Sequence, residues 1–287
     1  PALRRAPQLG PAHRAFLRKV SRKTWAFFET FVGPEDSWLP PDNYEEHRDE
    51  PIGHRTSPTN IGLSLLANLS AFDFGYIPAG VLIERTSNTF DTMDQLERYR
   101  GHFYNWYDTQ TLAPLQPVYI STVDSGNLAG HLLTLRQGLI ELSERRILEP
   151  RWREGIEDAI WSLGDQLDAD WKRRFDRVLV ELGTRPESSP EGLSASWRCL
   201  SRVDGMIDEL TRLLVSDPNA SELAKWCAQR LAAQCRAITE DLASHAPWLS
   251  GSNEASSLPF SDAIPTLRDL ARATDLHTGQ RIRHRHA

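Results

Sequence analysis

Five leucines at helical spacing occupy the middle of the chain and restrict the kind of fold that it can adopt. They are Leu128, Leu132, Leu135, Leu139 and Leu142. Steps of four and three residues place all five on one face of an α-helix. Ser125 precedes them and is predicted to be the N-cap of this helix. Asp124 and Asn127 should then lie at its amide-rich, positive end.

The same helical period recurs along the chain, and no clear alternating strand pattern accompanies it. Apolar spacing predicts further helices near residues 12–32, 58–74, 78–96, 150–182, 193–215, 221–244 and 263–274. In the first of them, the predicted inner face consists of Phe16, Val20, Thr24, Phe27 and Phe31. Ser57 and Pro58 are the predicted N-cap and first residue of the second. The fold class predicted is therefore all-α.

Two long segments without a helical period each stand directly before a helix. The first, residues 37–60, contains Trp38 and His54, and the second begins with five aromatic or imidazole side chains within residues 102–107. Long loops inside compact domains are usually functional or disordered, and the aromatic content here favours order. Paired helices with such loops on one rim indicate an α/α toroid.

Composition limits the function. The chain has 287 residues and a net charge of −6, which argues against a large nucleic-acid interface. Three cysteines without CxxC spacing suggest a reducing compartment. No apolar run is long enough for a membrane helix. The histidines His47, His54 and His102 lack ligand spacing, so neither a metal nor a cofactor is predicted.

The aromatic loop allows two interpretations. Aromatic faces beside carboxylates and amides are typical of a site for a polyhydroxylated ligand, with Trp106 as the best stacking candidate. Alternatively, Tyr104, Trp106 and the neighbouring rings fasten the loop to the core. Asp108 and Asp124 have an equally open role, because they are either a general acid and base or buried acceptors that orient loop amides. Ser125 and Asn127 would complete that network.

The first long loop offers similar alternatives. Asp42, Glu45 and Glu46 either form a catalytic acid group beside Trp38 or cap the loop on a solvated edge. For Glu45 and Glu46 the solvated edge is favoured. His54 and Arg55 either donate to ligand hydroxyls or hold the loop, with Arg55 paired to Asp42 or Asp108. Asn60 lies in the first turn of its helix, where it could be a simple hydrogen-bonding residue.

A family resemblance runs through these loops in order. The segments WLPPDNYEE, HRTSPTNIGL, DFGY and RYRGHFYNWYDTQTLAPLQPVYISTVDSGNLAGHLL resemble the central domain of bacterial cyclic β-1,2-glucan synthases. The similarity covers about residues 16–142 and is weak beyond them. The resemblance implies part of an (α/α)6 barrel that closes a linear glucan into a ring by retaining transglycosylation.

The resemblance also implies substrate contacts and partners. It assigns β-1,2-glucan binding to residues of both loops: Trp38, Asp42, Asn43, His54, Arg55, Asn60, Tyr104, Trp106, Asp108, Asp124, Ser125 and Asn127. The family's catalytic glutamates belong to motifs of the form SESAYN and FYEALDY, which are absent here. We therefore expect no catalytic residue in this chain and no cyclising activity from it alone. The partners implied are the missing half-barrel, a glycosyltransferase domain and a phosphorylase-like domain.

The expected organisation follows from these observations. Residues 1–11 are an unstructured lead-in, 12–148 the N-terminal half of the barrel domain, 149–275 further helices, and 276–287 a basic tail. The chain itself is expected to be soluble, within a longer protein at the cytoplasmic side of the inner membrane. Two other functions stay open: a non-catalytic glucan-binding scaffold, and an α/α-barrel glucan hydrolase that uses Asp108 or Asp124.

Overall fold

The fold is built from α-helices, as the sequence predicts. The computed structural model describes residues 9–183, 192–250 and 263–273. Its helices are α1 (Pro11–Phe31), α2 (Pro58–Asp73), α3 (Ala79–Gln95), α4 (Thr122–Leu142), α5 (Arg151–Gly164), α6 (Ala169–Gly183), α7 (Leu193–Ser216) and α8 (Glu222–His245), followed by a short helix at 267–273. Most of the predicted lead-in and the whole basic tail lie outside the described residues. Helix α1 already begins at Pro11.

Within the described residues the loops contain four two-residue strands, which the sequence did not reveal. They are β1 (Arg55–Thr56), β2 (Arg98–Tyr99), β3 (His102–Phe103) and β4 (Tyr107–Asp108). Strand β1 pairs antiparallel with β4, and β2 pairs antiparallel with β3. The first pairing joins the loop before α2 to the loop before α4. Segments this short lack a readable alternating pattern, which is why they were not predicted.

Helices α2 and α4 pack against each other and run parallel. An added Cβ on Gly62 would lie 2.3 Å from His131 Nδ1, and one on Gly138 would lie 2.5 Å from Leu69 Cδ2. Gly62 in α2 thus lies beside His131 in α4, and Leu69, seven residues further along α2, lies beside Gly138, seven residues further along α4. Since the two helices start at the same end, the long loops that lead into them lie side by side.

The start of α4 corrects one prediction. Its N-cap is Ser121, whose Oγ accepts from Asp124 N at 3.1 Å, and not Ser125. Ser125 lies within the first turn, where its Oγ donates to the carbonyl oxygen of Ser121 at 2.8 Å. A second good capping residue four positions earlier starts the helix one turn sooner. The leucine face is confirmed, with Leu128, Leu135 and Leu142 buried.

Helix α1 turns a different face inward from the one predicted. Phe16 and Val20 are 65% and 44% exposed, whereas Arg22 and Trp25 are only 5% and 4% exposed. The inner face is attached by charge, because Arg18 pairs with Asp158 and Glu154 of α5. Those partners lie far along the chain, and a local apolar pattern carries no information about them.

The second half of the chain surrounds the largest hydrophobic core, to which α5, α6, α7 and α8 contribute. It meets the first half through α1 and through a close backbone approach at Gly75, where φ is +76°. A Cβ on Gly155 of α5 would lie 2.1 Å from the Gly75 carbonyl oxygen. Within the described ranges, no helix is both long and apolar enough to cross a membrane. Closure of the helices into a toroid stays a prediction.

Candidate functional site

A continuous network of polar side chains lies where α2 and α4 begin. We call it the rim cluster. Its members are Asp42, Arg55, Thr59, Asn60, Asn105, Trp106, Tyr119, Asp124 and Asn127. They come from the two long loops and from the first turns of both helices, so the parallel packing of α2 and α4 brings them together.

Asp124 is the acceptor at the α4 side of the rim cluster. Thr59 Oγ1 donates to Asp124 Oδ1 at 2.6 Å, and Asn127 Nδ2 donates to Thr59 Oγ1 at 3.1 Å. Burial raises the pKa of Asp124, but hydrogen bonds from Ser121, Thr59 and Ser57 outweigh it, and the pKa lies below its usual value. Asp124 is therefore a charged, well-bonded carboxylate at a helix N-terminus.

Asn105 links this carboxylate to the aromatic loop. With its amide oriented to satisfy its neighbours, the nitrogen donates to Asp124 Oδ2 at 2.9 Å. Its oxygen accepts from Trp106 Nε1 at 2.8 Å and from the Tyr119 hydroxyl at 2.7 Å. Asn105 is only 6% exposed, so it fixes the edge of the Trp106 ring from inside the loop.

Asp42 anchors the other side of the rim cluster. Arg55 donates to Asp42 Oδ2 from Nε at 3.1 Å and from Nη2 at 2.8 Å, and Asn60 Nδ2 donates to Asp42 Oδ1 at 3.2 Å. Asp42 and Asp108 were the two predicted partners of Arg55, and the side chain pairs with Asp42. The Arg55 guanidinium also lies 5.1 Å from the centroid of the Trp106 ring and covers one of its faces.

Asp108 has the loop-orienting role rather than a place in the rim cluster. Its Oδ1 accepts from the backbone nitrogens of Gln110 and Thr111 at 3.0 and 2.7 Å, and from Thr111 Oγ1 at 2.9 Å. Burial raises the pKa of Asp108, but these hydrogen bonds and the nearby His54 leave it below its usual value. The structure therefore favours the acceptor alternative for this carboxylate.

His54 belongs to a neighbouring group centred on a residue that sequence reasoning missed. Its Nδ1 lies 2.7 Å from Oδ1 of Asp36, a carboxylate only 7% exposed that also accepts from Thr109 Oγ1. Nothing near Asp36 in the sequence marks it as a partner of His54, 18 residues away. Across the described ranges, no group of three His, Cys, Asp or Glu side chains is arranged to hold a metal ion.

Three other predicted site residues have partners outside the rim cluster. Trp38 adopts φ +61°, held by Thr89 Oγ1, which donates to its carbonyl oxygen at 3.1 Å. Asn43 is exposed, and its Nδ2 donates to Glu45 Oε1 at 2.9 Å. Tyr104 packs against the core beside the buried Tyr107, whose hydroxyl accepts from Tyr104 N at 2.7 Å. Part of the aromatic loop is therefore a structural anchor.

Thr59, Asn105 and Tyr119 are the members of the rim cluster that sequence reasoning missed. Thr59 and Asn105 each had a readable signal. Thr59 stands in the first turn of α2, next to the predicted Asn60, and Asn105 stands in the middle of the aromatic run. A polar residue inside an aromatic run is expected to need buried partners, since buried amides are nearly always hydrogen-bonded.

We expect Asp124→Asn to lower the free energy of unfolding by about 0.5–1.5 kcal/mol, because a charged acceptor at a helix start becomes neutral. The lowered pKa sets the pH dependence: the stabilisation is complete above the unfolded value near 3.8 and is lost as pH falls through the folded pKa. Urea unfolding at pH 7 and pH 3 measures both. Asp94→Asn, which removes an 85% exposed carboxylate, is the control and should change stability little.

Comparison with known proteins supports the predicted resemblance. No family model matches the chain. Over 128 residues, which are 45% of the chain, it is 48% identical to the cyclic beta-(1,2)-glucan synthase NdvB of Rhizobium meliloti (strain 1021). The matched region spans only 4% of the length of that protein.

Proposed function

We propose that this chain is a carbohydrate-binding part of a cyclic β-1,2-glucan synthase, and that the rim cluster supplies substrate subsites for ring closure by retaining transglycosylation. One observation carries the proposal. Two hydrogen-bonded groups of side chains, one around Asp42 and one around Asp124, meet where the Arg55 guanidinium covers the Trp106 ring. The two long loops are also the segments on which the predicted resemblance rests.

The rim cluster suits a sugar because its groups are fixed before a ligand arrives. Trp106 is half-buried and is held at its Nε1 by Asn105 and on one face by Arg55, and in this proposal its other face receives the apolar side of a glucose ring. Asp42 and Asp124 accept from hydroxyls, and Asn127 and Arg55 can donate to them. Fixed side chains lose little entropy on binding, which favours recognition of a flexible chain.

The electrostatics support binding rather than bond cleavage by these residues. Retaining chemistry needs one charged and one protonated carboxyl group roughly 5 Å apart. Asp108 and Asp124 both have a lowered pKa and stay charged at neutral pH, so neither suits the general acid. In this proposal the catalytic glutamates belong to another part of the synthase, and the hydrolase alternative is disfavoured.

The proposed architecture places α2 and α4 as neighbouring inner helices of an (α/α)6 barrel, with their loops on its substrate rim. The parallel packing of these two helices supports this arrangement. Residues 12–148 would form the first half of the barrel, and residues 149–275 would add further helices. The partners would be the remaining half-barrel and the glycosyltransferase and phosphorylase-like domains of a longer protein at the cytoplasmic side of the inner membrane.

Trp106→Ala tests the proposed subsites. We expect the affinity for linear β-1,2-glucan to fall by about 1–3 kcal/mol, or roughly five- to hundredfold, because an apolar stacking surface is lost. Isothermal titration of the 287-residue chain gives the affinity. Trp161→Ala is the matched control, since Trp161 lies on α5, is 44% exposed and is not part of the rim cluster. Equal affinities for the two variants would contradict the stacking role.

An assay of ring closure by the intact synthase distinguishes the scaffold alternative from the first proposal. If the rim cluster forms transglycosylation subsites, Trp106→Ala in that enzyme should reduce the yield of cyclic glucan. A scaffold role predicts weaker binding with unchanged ring closure. The isolated chain should bind linear glucan without changing it, and the appearance of shorter linear products would instead favour the hydrolase.

A further inference from the structure

A second candidate site lies away from the rim cluster, in a crevice between α1, α5 and α8. Its volume is about 350 Å³, and it shares no lining residue with the rim cluster. Its α5 side is formed by the small residues Ala159 and Ser162, and Gln166 contributes from just after the end of the helix. We call it the α1–α8 crevice. Ligand pockets in proteins have volumes of about 300–1,000 Å³, so a small molecule fits.

Positive charge dominates the lining of the α1–α8 crevice. Arg22 and Lys23 contribute from α1 and Arg230 from α8, against a single acidic residue, Glu46. Arg22 is only 5% exposed, and its Nη2 lies 3.1 Å from Glu29 Oε2. No ion pair found in the described ranges involves Lys23 or Arg230. The crevice thus contains more positive charge than its own carboxylate can neutralise.

Two of these guanidinium groups have a buried donor without an acceptor. The Nε atoms of Arg22 and Arg230 are inaccessible to solvent, and neither has a hydrogen-bond partner within the part of the chain that the structure describes. A buried N–H without an acceptor is costly, and a charged donor more so. The two side chains would gain an acceptor if they turned toward an anion in the crevice.

The α8 side of the crevice adds an apolar, flat surface. Trp226 lines it together with Leu223 and Cys227, and the Arg230 guanidinium lies 5.7 Å from the centroid of the Trp226 ring. A cation beside an aromatic face suits a ligand that combines a negative group with a ring.

We propose that the α1–α8 crevice binds a small anionic molecule in which a phosphate or carboxylate group is attached to a compact ring. The anionic group contacts Arg22, Lys23 and Arg230, and the ring packs against Trp226. This site is independent of the proposed glucan subsites, because it requires a charged ligand and uses none of the same residues.

Titration of the 287-residue chain with three matched probes tests the proposal. Phenyl phosphate and benzoate carry the two anionic groups on the same ring, and phenol is their neutral counterpart. We expect at least one anion to bind at millimolar concentration or below and phenol to bind much more weakly. Comparison of phenyl phosphate with benzoate then identifies which anionic group the site prefers. Binding should weaken as salt is added.

Variants assign the binding to the crevice. Arg230→Gln should weaken binding of the preferred anion by about tenfold, because a charge-assisted contact is lost. Lys23→Gln, at a more exposed residue, should also weaken it. Glu46→Gln should strengthen binding, since it removes the one negative charge in the lining. A loss of folding would weaken binding in every variant, so it would not strengthen binding in one and weaken it in the others. Thermal unfolding checks the folding of each variant separately. Failure of both anions to bind, or unchanged affinity in Arg230→Gln and Lys23→Gln, would overturn the proposal.

Discussion

Asp158→Ala is expected to lower the free energy of unfolding by about 3–5 kcal/mol, because it removes one partner of a buried ion pair. The Asp158 side chain is 0% exposed, accepts from Arg18 Nε at 2.9 Å and from the Tyr76 hydroxyl at 3.0 Å, and lies 2.8 Å from Arg18 Nη2. Burial and the adjacent carboxylate raise the pKa of Tyr76, so the phenol stays protonated and donates. Arg18 is 23% exposed and can turn toward water, so we expect a loss near the lower end of this range of unfolding free energy.

Glu154→Ala is the matched control for this prediction. Glu154 pairs with the same Arg18 from the same helix, at 2.8 Å, but its side chain is 48% exposed. Exposed pairs contribute about 0–1 kcal/mol, so this variant should unfold at nearly the same urea concentration as the unmodified chain. Similar losses in the two variants would show that burial of the carboxylate is not the source of the stability.

Gly155→Ala should destabilise the chain by roughly 1–3 kcal/mol, although alanine normally favours a helix over glycine. The new Cβ would lie 2.1 Å from the Gly75 carbonyl oxygen, and that backbone has little room to move. Gly75 is itself close to α5, since a Cβ on it would lie 2.2 Å from the Arg151 carbonyl oxygen, and its own carbonyl accepts from Gln234 Nε2 at 3.3 Å.

Gly205→Ala makes the same chemical change in α7 and should have the opposite sign. Among the described residues, and apart from its own turn of α7, no atom lies within 4 Å of the position that its Cβ would take, so only the gain in helix propensity remains. That gain is about 0.5–1 kcal/mol. Urea unfolding of both variants measures the difference, and equal shifts in the same direction would contradict the proposed contact between Gly155 and Gly75.

The features that could be predicted from the sequence are those fixed by neighbours along the chain. Ser57 and Pro58 start α2 as predicted, with Ser57 Oγ accepting from Asn60 N at 3.2 Å, because a cap acts within one turn. The leucine face of α4 was equally readable, since a helix buries a stripe that its own spacing defines. Pairing of Arg55 with Asp42 was one of two alternatives, and only the fold could decide between them.

The features that could not be predicted depend on distant partners. The inner face of α1 is set by Arg18 and Asp158, which are 140 residues apart, and apolar spacing favoured the opposite face. Asn105 reaches Asp124, 19 residues further on, because the aromatic loop folds back on itself, with Asn105 N donating to the carbonyl oxygen of Tyr119 at 2.9 Å. The N-cap of α4 is Ser121 and not Ser125, and the sequence alone did not show which of two serines one turn apart begins the helix.

The backbone pairing of β1 with β4 makes the two loops a single mechanical unit. Arg55 is opposite Asp108 and Thr56 opposite Tyr107, so a displacement of either loop must break hydrogen bonds to the other. This pairing therefore helps to hold the side chains of the rim cluster in their relative positions. The entropic cost of aligning the two loops arises once, when the chain folds, so ligand binding does not include this cost.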